Sequence, residues 1–289
     1  MAVHPNLAGE PSHGGALYRV AAFTDTPQGG NPAGVWIGDS LPHPDVMQRI
    51  AAEVGYSETA FVAPASGAAR SVRYFSPEAE VSFCGHATIG AGAVLGAGDR
   101  ETTYLLATGV GDVPVTVRRE GRRTLVSLRS VGTRHVRPDD AVLEELLACL
   151  GWRSDEIEAA IPPAIAYAGA WHAVLAAAQR RRLATLEYDF DRLKSLMQRN
   201  NITTLQLVWR EREDRFHSRN PFPVGGVVED PATGAAAAAL GGYLRDAGII
   251  RAPARFEIRQ GEAMGRPSLL FVDVPVSGGI VVSGTAAPL

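Results

Sequence analysis

A few polar residues stand where proton chemistry could be done. Glu58 lies in Gly55-Tyr56-Ser57-Glu58-Thr59-Ala60-Phe61-Val62, at the mouth of an apolar strand. It is a candidate general acid/base, and a positioned proton-moving side chain contributes about 10²- to 10⁴-fold to a rate. The plain alternative is a surface glutamate bonded to a backbone amide. His86 sits at the first turn of Cys84-Gly85-His86-Ala87-Thr88-Ile89-Gly90-Ala91-Gly92. It could donate to a substrate oxygen or relay a proton; otherwise it is a capping or packed histidine. Cys84 is a candidate thiolate beside a helix start. Asp230, in Glu229-Asp230-Pro231-Ala232-Thr233-Gly234, opens a second small-residue helix. Asp before Pro is an ordinary helix entrance, and the carboxylate could also orient a substrate amine or hydroxyl.

The two small-residue helix starts read as imperfect copies. Each is small, apolar and entered through polar residues. A helix that thin packs inside a sheet. Its first N–H groups and its dipole then face outward and favour an anion. Two such starts facing each other predict a carboxylate site in a cleft between two similar halves.

Other chemistries are excluded by what the chain lacks. Lys194 is its only lysine, and it lies in an amphipathic run. That rules out a pyridoxal-phosphate Schiff base and a Gly-Lys-Ser/Thr phosphate loop. Residues 55–59 miss the last glycine of a nucleophile elbow. Residues 90–96 do not match the dinucleotide fingerprint. The seven histidines show no metal-ligand spacing, so no metal site is expected. Cys84 and Cys149 form no disulfide framework, and Cys149 has the helical spacing of a core residue. With net charge −3 and Arg180-Arg181-Arg182 as the one basic tract, nucleic acid is not an expected partner. The N-terminal segment has no basic start or apolar run, and no stretch is long enough to span a membrane. A cytoplasmic protein is expected.

The 289 residues, 46% hydrophobic and 20% charged, allow a sizeable core in one or two domains. Strand-like runs dominate, with helices predicted at 44–54, 86–97, 139–150, 189–199 and 234–247. No βαβ rhythm is visible, which argues against a parallel nucleotide-binding sheet. The expected fold class is α+β, with two pseudo-symmetric domains, each a curved mixed sheet around one buried helix. Residues 1–15 read as a disordered extension and 16–130 as the first half, completed by 276–289. Residues 131–275 make the second half.

Six motifs, in order, resemble the phenazine-biosynthesis PhzF-like isomerase family, which shares the diaminopimelate epimerase fold. They are Gly30-Asn31-Pro32-Ala33-Gly34-Val35, Ser57-Glu58-Thr59-Ala60-Phe61-Val62, and Arg73-Tyr74-Phe75-Ser76-Pro77 with Glu80-Val81. Cys84-Gly85-His86-Ala87-Thr88 and Glu229-Asp230-Pro231-Ala232-Thr233-Gly234-Ala235 follow, then Gln260-Gly261 with Gly265-Arg266-Pro267-Ser268. The resemblance implies that Glu58 is the acid/base and that Ser57, Gly85, His86, Asp230, Thr233, Gly234 and Ala235 bind substrate. It further implies a cofactor-independent isomerase of a small carboxylate, acting as a homodimer. Related epimerases use two facing cysteines. Here Cys84 keeps the first position, and Thr233 or a neighbour takes the second, so two-thiol racemisation is not expected. An epimerase using Cys84 with Glu58, and a non-catalytic metabolite-binding protein, stay open as alternatives.

Overall fold

The computed structural model describes residues 9–65, 69–96, 101–121 and 123–289. The chain divides into two compact units, Met1–Arg129 with Ser283–Leu289, and Ser130–Val282. No helix among the described residues is long and apolar enough to cross a membrane.

The first unit opens with β1 (Glu10–Ser12), which folds back antiparallel on β2 (Gly15–Ala22). This corrects the expectation of disorder over residues 1–15, of which 1–8 lie outside the described residues. Two contacts hold the hairpin. Trp36 Nε1 donates to the Ser12 carbonyl at 2.8 Å, and Arg19 pairs with Glu10 at 2.5 Å. Then come β3 (Asn31–Gly38), α1 (Pro44–Val54), β4 (Glu58–Pro64), β5 (Arg70–Phe75) and β6 (Glu80–Val81). They are followed by α2 (Gly85–Leu95), β7 (Thr102–Thr108), β8 (Gly111–Glu120) and β9 (Arg123–Arg129). β2 pairs antiparallel with β3, β3 parallel with β4, and β4 antiparallel with β5. β5 is parallel to β7, and β7, β8 and β9 form an antiparallel meander.

Each parallel step is bridged by a helix, α1 or α2. The sheet is mixed, as expected, with these crossovers set among antiparallel pairings. Antiparallel hairpins flank each crossover and hide the rhythm. α1 has ordinary signals: Pro44 at its start and Gly55 in the left-handed region (φ 69°) at its end. Its buried side, Met47, Ile50 and Ala51, packs on Trp36, Phe61 and Phe75. Alternation along β4 therefore sends Thr59 and Phe61 towards α1, and Glu58, Ala60 and Val62 to the opposite face.

That opposite face carries α2, which packs against β2, β3, β4, β8 and β9. Every residue of α2 from 86 to 95 is buried. The glycines make the approach possible. A Cβ on Gly90 would lie 2.8 Å from Val20 Cγ2, and one on Gly92 would lie 2.5 Å from Val126 Cγ1. The helix closes at Gly96 (φ 69°), and its expected end at 97–98 falls outside the described residues.

The second unit repeats this order. It contains β10 (Arg134–Val136), α3 (Asp140–Leu150), β11 (Ala164–Tyr167), β12 (Trp171–Ala176), α4 (Arg180–Ala184) and α5 (Phe190–Arg199). Next are β13 (Thr204–Arg212), β14 (Arg215–Arg219), β15 (Pro221–Phe222) and β16 (Val227–Glu229). α6 (Gly234–Asp246), β17 (Ala254–Gln260) and β18 (Ser268–Val274) follow. β11–β12 is antiparallel, β12–β13 parallel, β13–β14 antiparallel, β14–β17 parallel and β17–β18 antiparallel. β2 to β8 show the same sequence of senses. α6 is buried at Gly234 and from 236 to 244, against β10 to β13 and β18. α3 and α5 cover Leu205 and Leu207, with Cys149 in that core. The chain ends through β19 (Val281–Gly284) and β20 (Ala286–Pro288), the latter antiparallel to β2.

Two stability predictions follow from these interiors. Gly92→Val pushes a branched side chain into Val126 and Val115 and should destabilise the fold by about 1–3 kcal/mol. A urea midpoint equal to wild type would contradict the close packing of α2. The second concerns His172, which is buried beside Thr204 (Nδ1···Oγ1 2.8 Å), its Nε2 unpartnered among the described residues. Burial pushes its pKa down to about 3. The unfolded chain takes up that proton near pH 6.5 while the folded chain does not, so stability falls as pH drops from about 6.5 towards 3. The slope is at most about 1.4 kcal/mol per pH unit. His172→Gln should flatten it between about pH 7 and pH 5, measured by urea unfolding; an unchanged slope assigns the effect elsewhere.

Candidate active site

Glu58 is the first residue of β4 and sits in register with Ala33. Its alternation face is the one α2 covers, and α2 begins beside it. The start of α2 is fixed by a buried chain of hydrogen bonds. Thr88 Oγ1 donates to the Cys84 carbonyl at 2.7 Å, so the Tyr74 hydroxyl, 2.7 Å from Thr88 Oγ1, donates to Thr88. Burial pushes the Tyr74 phenol well above its ordinary range, so it keeps its proton to donate. One residue before Tyr74 on β5, Arg73 grips Glu80 through two hydrogen bonds of 2.6 and 2.5 Å. The same contact holds the Glu80 carboxyl below its usual range and closes the β5–β6 hairpin that leads into α2.

This arrangement brings four sequence candidates of the first unit together. His86 Nε2 lies 3.4 Å from Glu58 Oε2 and 3.2 Å from Ser57 Oγ. His86 Nδ1 lies 3.3 Å from Cys84 Sγ. The His86 side chain is 9% exposed and that of Glu58 20%, so of these two the carboxylate is the one that meets solvent. A carboxylate, an imidazole and a hydroxyl in contact can hold or pass a proton. The backbone adds a further feature. Cys84, the N-cap, is extended and its side chain makes no cap bond. The Gly85 position has nothing within 4 Å of where a Cβ would stand. The positive end of α2 beside Glu58 therefore receives no cap from the side chain of its own N-cap residue.

The second helix start is built differently. The Asp230 carboxylate accepts from Thr233 Oγ1 at 2.5 Å, and Gln260 Nε2 donates to the Asp230 carbonyl at 2.7 Å and to Thr233 Oγ1 at 3.1 Å. Gly261 follows at φ 74°, where a Cβ would stand 2.3 Å from the Arg266 carbonyl and 2.8 Å from that of Pro231. Glycine is required there. Thr233 is the N-cap and forms no side-chain cap, so Gly234 and Ala235 open α6 as Gly85 and His86 open α2. Glu229 is structural: it is buried and takes two hydrogen bonds from Arg219, of 2.9 and 2.5 Å. Gln260, Tyr74 and Thr88 were not among the expected site residues. Gln260-Gly261 and Tyr74 stood in the motifs, but their hydrogen-bond partners are distant in sequence.

Glu58, Cys84 and His86 offer three donor atoms within 4.8 Å of one another. Sequence spacing gives no sign of this set, because its members come from a strand and a later helix start. A separate cavity of about 660 Å³ in the second unit is lined by His135, Arg137, Leu143, Pro162 and Tyr243, among others. None of the expected site residues lines it. Two of its polar groups are engaged, with Tyr243 donating to the Pro162 carbonyl and Arg137 paired with Asp140.

A family model described as phenazine biosynthesis-like protein matches residues 20–289. The chain belongs to this family. An uncharacterised isomerase of Deinococcus radiodurans is 34% identical, covering 93% of this chain and 91% of its own. Trans-2,3-dihydro-3-hydroxyanthranilate isomerase of Pseudomonas fluorescens is 33% identical over 87% of each chain. The crystal structure of a predicted epimerase from Pseudomonas aeruginosa matches at a TM-score of 0.82, with 24% identity over 94% of this chain and 96% of that one. The α+β fold of two like halves, each around a small-residue helix, is thus the family's epimerase-type fold. The chain is an isomerase of this family.

The hydrogen-bond chain to α2 can be tested alone. Tyr74→Phe leaves the buried Thr88 oxygen without its donor and should lower stability by about 1 kcal/mol or somewhat more. Chemical denaturation measures this, and an unshifted midpoint would remove Tyr74 as the anchor.

Proposed function

We propose that Glu58 is the general acid/base of a cofactor-independent isomerisation of a small carboxylate substrate. The observation that carries this reading is the contact of Glu58 with His86, 3.4 Å apart, beside the start of α2. Glu58 removes a proton from a carbon next to a double bond or carbonyl and returns it to another carbon as the double bond shifts. One proton leaves and one arrives, so no oxidant or reductant is needed. Ser57 and His86 hold a substrate oxygen, and the positive end of α2 at Gly85 favours the substrate carboxylate. On the sequence pattern, Asp230, Thr233, Gly234 and Ala235 are also assigned to substrate binding. The Pseudomonas fluorescens relative, named for an unsaturated carboxylate, supports starting with that substrate class.

A second reading is favoured by one contact, Cys84 Sγ at 3.3 Å from His86 Nδ1. In it, a Cys84 thiolate takes the α-proton of an amino acid and Glu58 returns a proton to the opposite face, as in an epimerase.

Proton exchange followed by NMR in D₂O separates the readings, with trans-2,3-dihydro-3-hydroxyanthranilate and a panel of unsaturated and amino carboxylates. Deuterium entry or a double-bond shift should fall by at least about 10²-fold in Glu58→Gln. Turnover by Glu58→Gln at the wild-type rate would sink the proposal. Deuterium at an amino-acid α-carbon, lost in Cys84→Ser, would favour the epimerase. Binding without exchange would favour a metabolite-binding protein.

A further inference from the structure

We propose that Cys84 is a positioning residue: its thiol donates to His86 Nδ1 and so holds the imidazole with its proton on Nε2, facing Glu58 and Ser57. A neutral imidazole carries one N–H and one bare nitrogen, and the partners on its two edges decide which is which. Here the two edges meet different chemistry. Nε2 has Glu58 Oε2 at 3.4 Å and Ser57 Oγ at 3.2 Å. Nδ1 has Cys84 Sγ at 3.3 Å, while that sulfur stands 3.9 Å from Nε2.

This role of Cys84 rests on the reading of Glu58 as the base. A base that takes a proton starts as a carboxylate, and a carboxylate has no hydrogen to give. Glu58 therefore calls for the imidazole proton on Nε2. Nδ1 is then the acceptor, and the thiol supplies its hydrogen. The opposite form would aim the Nε2 lone pair at the carboxylate and spend an N–H on sulfur, a weak acceptor. The local fold explains the meeting of sulfur and ring. Cys84 is the extended N-cap of α2, and its side chain lies against the first-turn imidazole instead of capping the helix. Both residues are buried, so losing the contact leaves a ring nitrogen with no ready replacement from solvent.

The direction of these bonds bears on the substrate. With the proton on Nε2, Ser57 Oγ accepts from the imidazole, and the Ser57 hydrogen is available to a substrate. Ser57 is exposed. The site then offers a hydroxyl donor there, which suits an oxygen that only accepts, such as a carboxylate or a ketone, over an ammonium group.

¹⁵N NMR of the full chain, labelled at histidine, reads the imidazole directly and needs no substrate. His86 should show Nε2 as a protonated, pyrrole-type nitrogen and Nδ1 as an unprotonated, pyridine-type one; His86→Gln assigns the signals. In Cys84→Ala the Nδ1 signal should move towards that of an unbonded pyridine-type nitrogen. Cys84→Ser, which keeps a donor, should move it back. The other histidines, His172 among them, report that the variants are folded. A proton on Nδ1 in the wild type overturns the proposal, and so does an Nδ1 signal indifferent to Cys84→Ala. Turnover of the exchanging carboxylate should fall about 5-fold in Cys84→Ala, the loss expected of one neutral hydrogen bond, and recover in part in Cys84→Ser. Turnover untouched by Cys84→Ala overturns the positioning role. Equal inactivity of both variants overturns it too, and makes Cys84 the reacting group of an epimerase. If Nδ1 responds to Cys84 while Glu58→Gln turns over at the wild-type rate, the Cys84–His86 bond stands and Glu58 falls as the base.

Discussion

The site rests on a helix that has no solvent-facing side. α2 is enclosed by its sheet, so it can carry only small or apolar residues, and Gly90 and Gly92 mark where the strand side chains come too close for a Cβ. Enclosure also fixes where its ends emerge. Its first turn surfaces at the start of β4, and the two-residue alternation of that strand turns Glu58 to the same side. The contact between Glu58 and His86 follows from these two constraints together.

What collects there is a small set of groups with distinct tasks. Glu58 is the more exposed and able to meet a substrate, while His86 is buried between it and Cys84. The imidazole's orientation is set by partners on both edges, Ser57 and Glu58 on one nitrogen and Cys84 on the other. Tyr74 and Thr88 touch none of the reacting groups directly. They tie the first turn of α2 to β5, and so act through position. The start of α2 adds the fixed positive field of the helix dipole beside them.

The second unit has the same strand senses and the same buried helix, but not the same chemistry. In the first unit the parallel step between β3 and β4 begins with Ala33 beside Glu58. In the second, the step between β12 and β13 begins with His172 beside Thr204. The position that carries a carboxylate in one copy carries a hydroxyl in the other, bonded to a buried histidine. The repeated frame supplies two helix starts, and the acid/base candidate belongs to one of them.

Much of this was legible in the residues. The bounds of α1 follow from Pro44 and Gly55, and α2 and α6 follow from charge-free runs of Gly and Ala. Glu58, His86 and Cys84 could be named because their neighbours are unusual. The βαβ crossovers were not legible, because antiparallel hairpins flank each parallel step and strand pairing is set by register. Nor was β1, whose anchor is the distant indole of Trp36. Gln260 was visible as a motif but had no evident task, since it acts on Asp230 and Thr233 some 27–30 residues earlier. The sequence by itself determined which segments must be buried, which helix starts lack charge, and which side chains could move a proton. Only the tertiary structure decided that Glu58, Ser57, Cys84 and His86 meet, and that Glu229 is spent on Arg219. The physical reason is range: backbone periodicity and capping act over a few neighbours, whereas contacts between strands depend on register, set by the packing of the whole sheet.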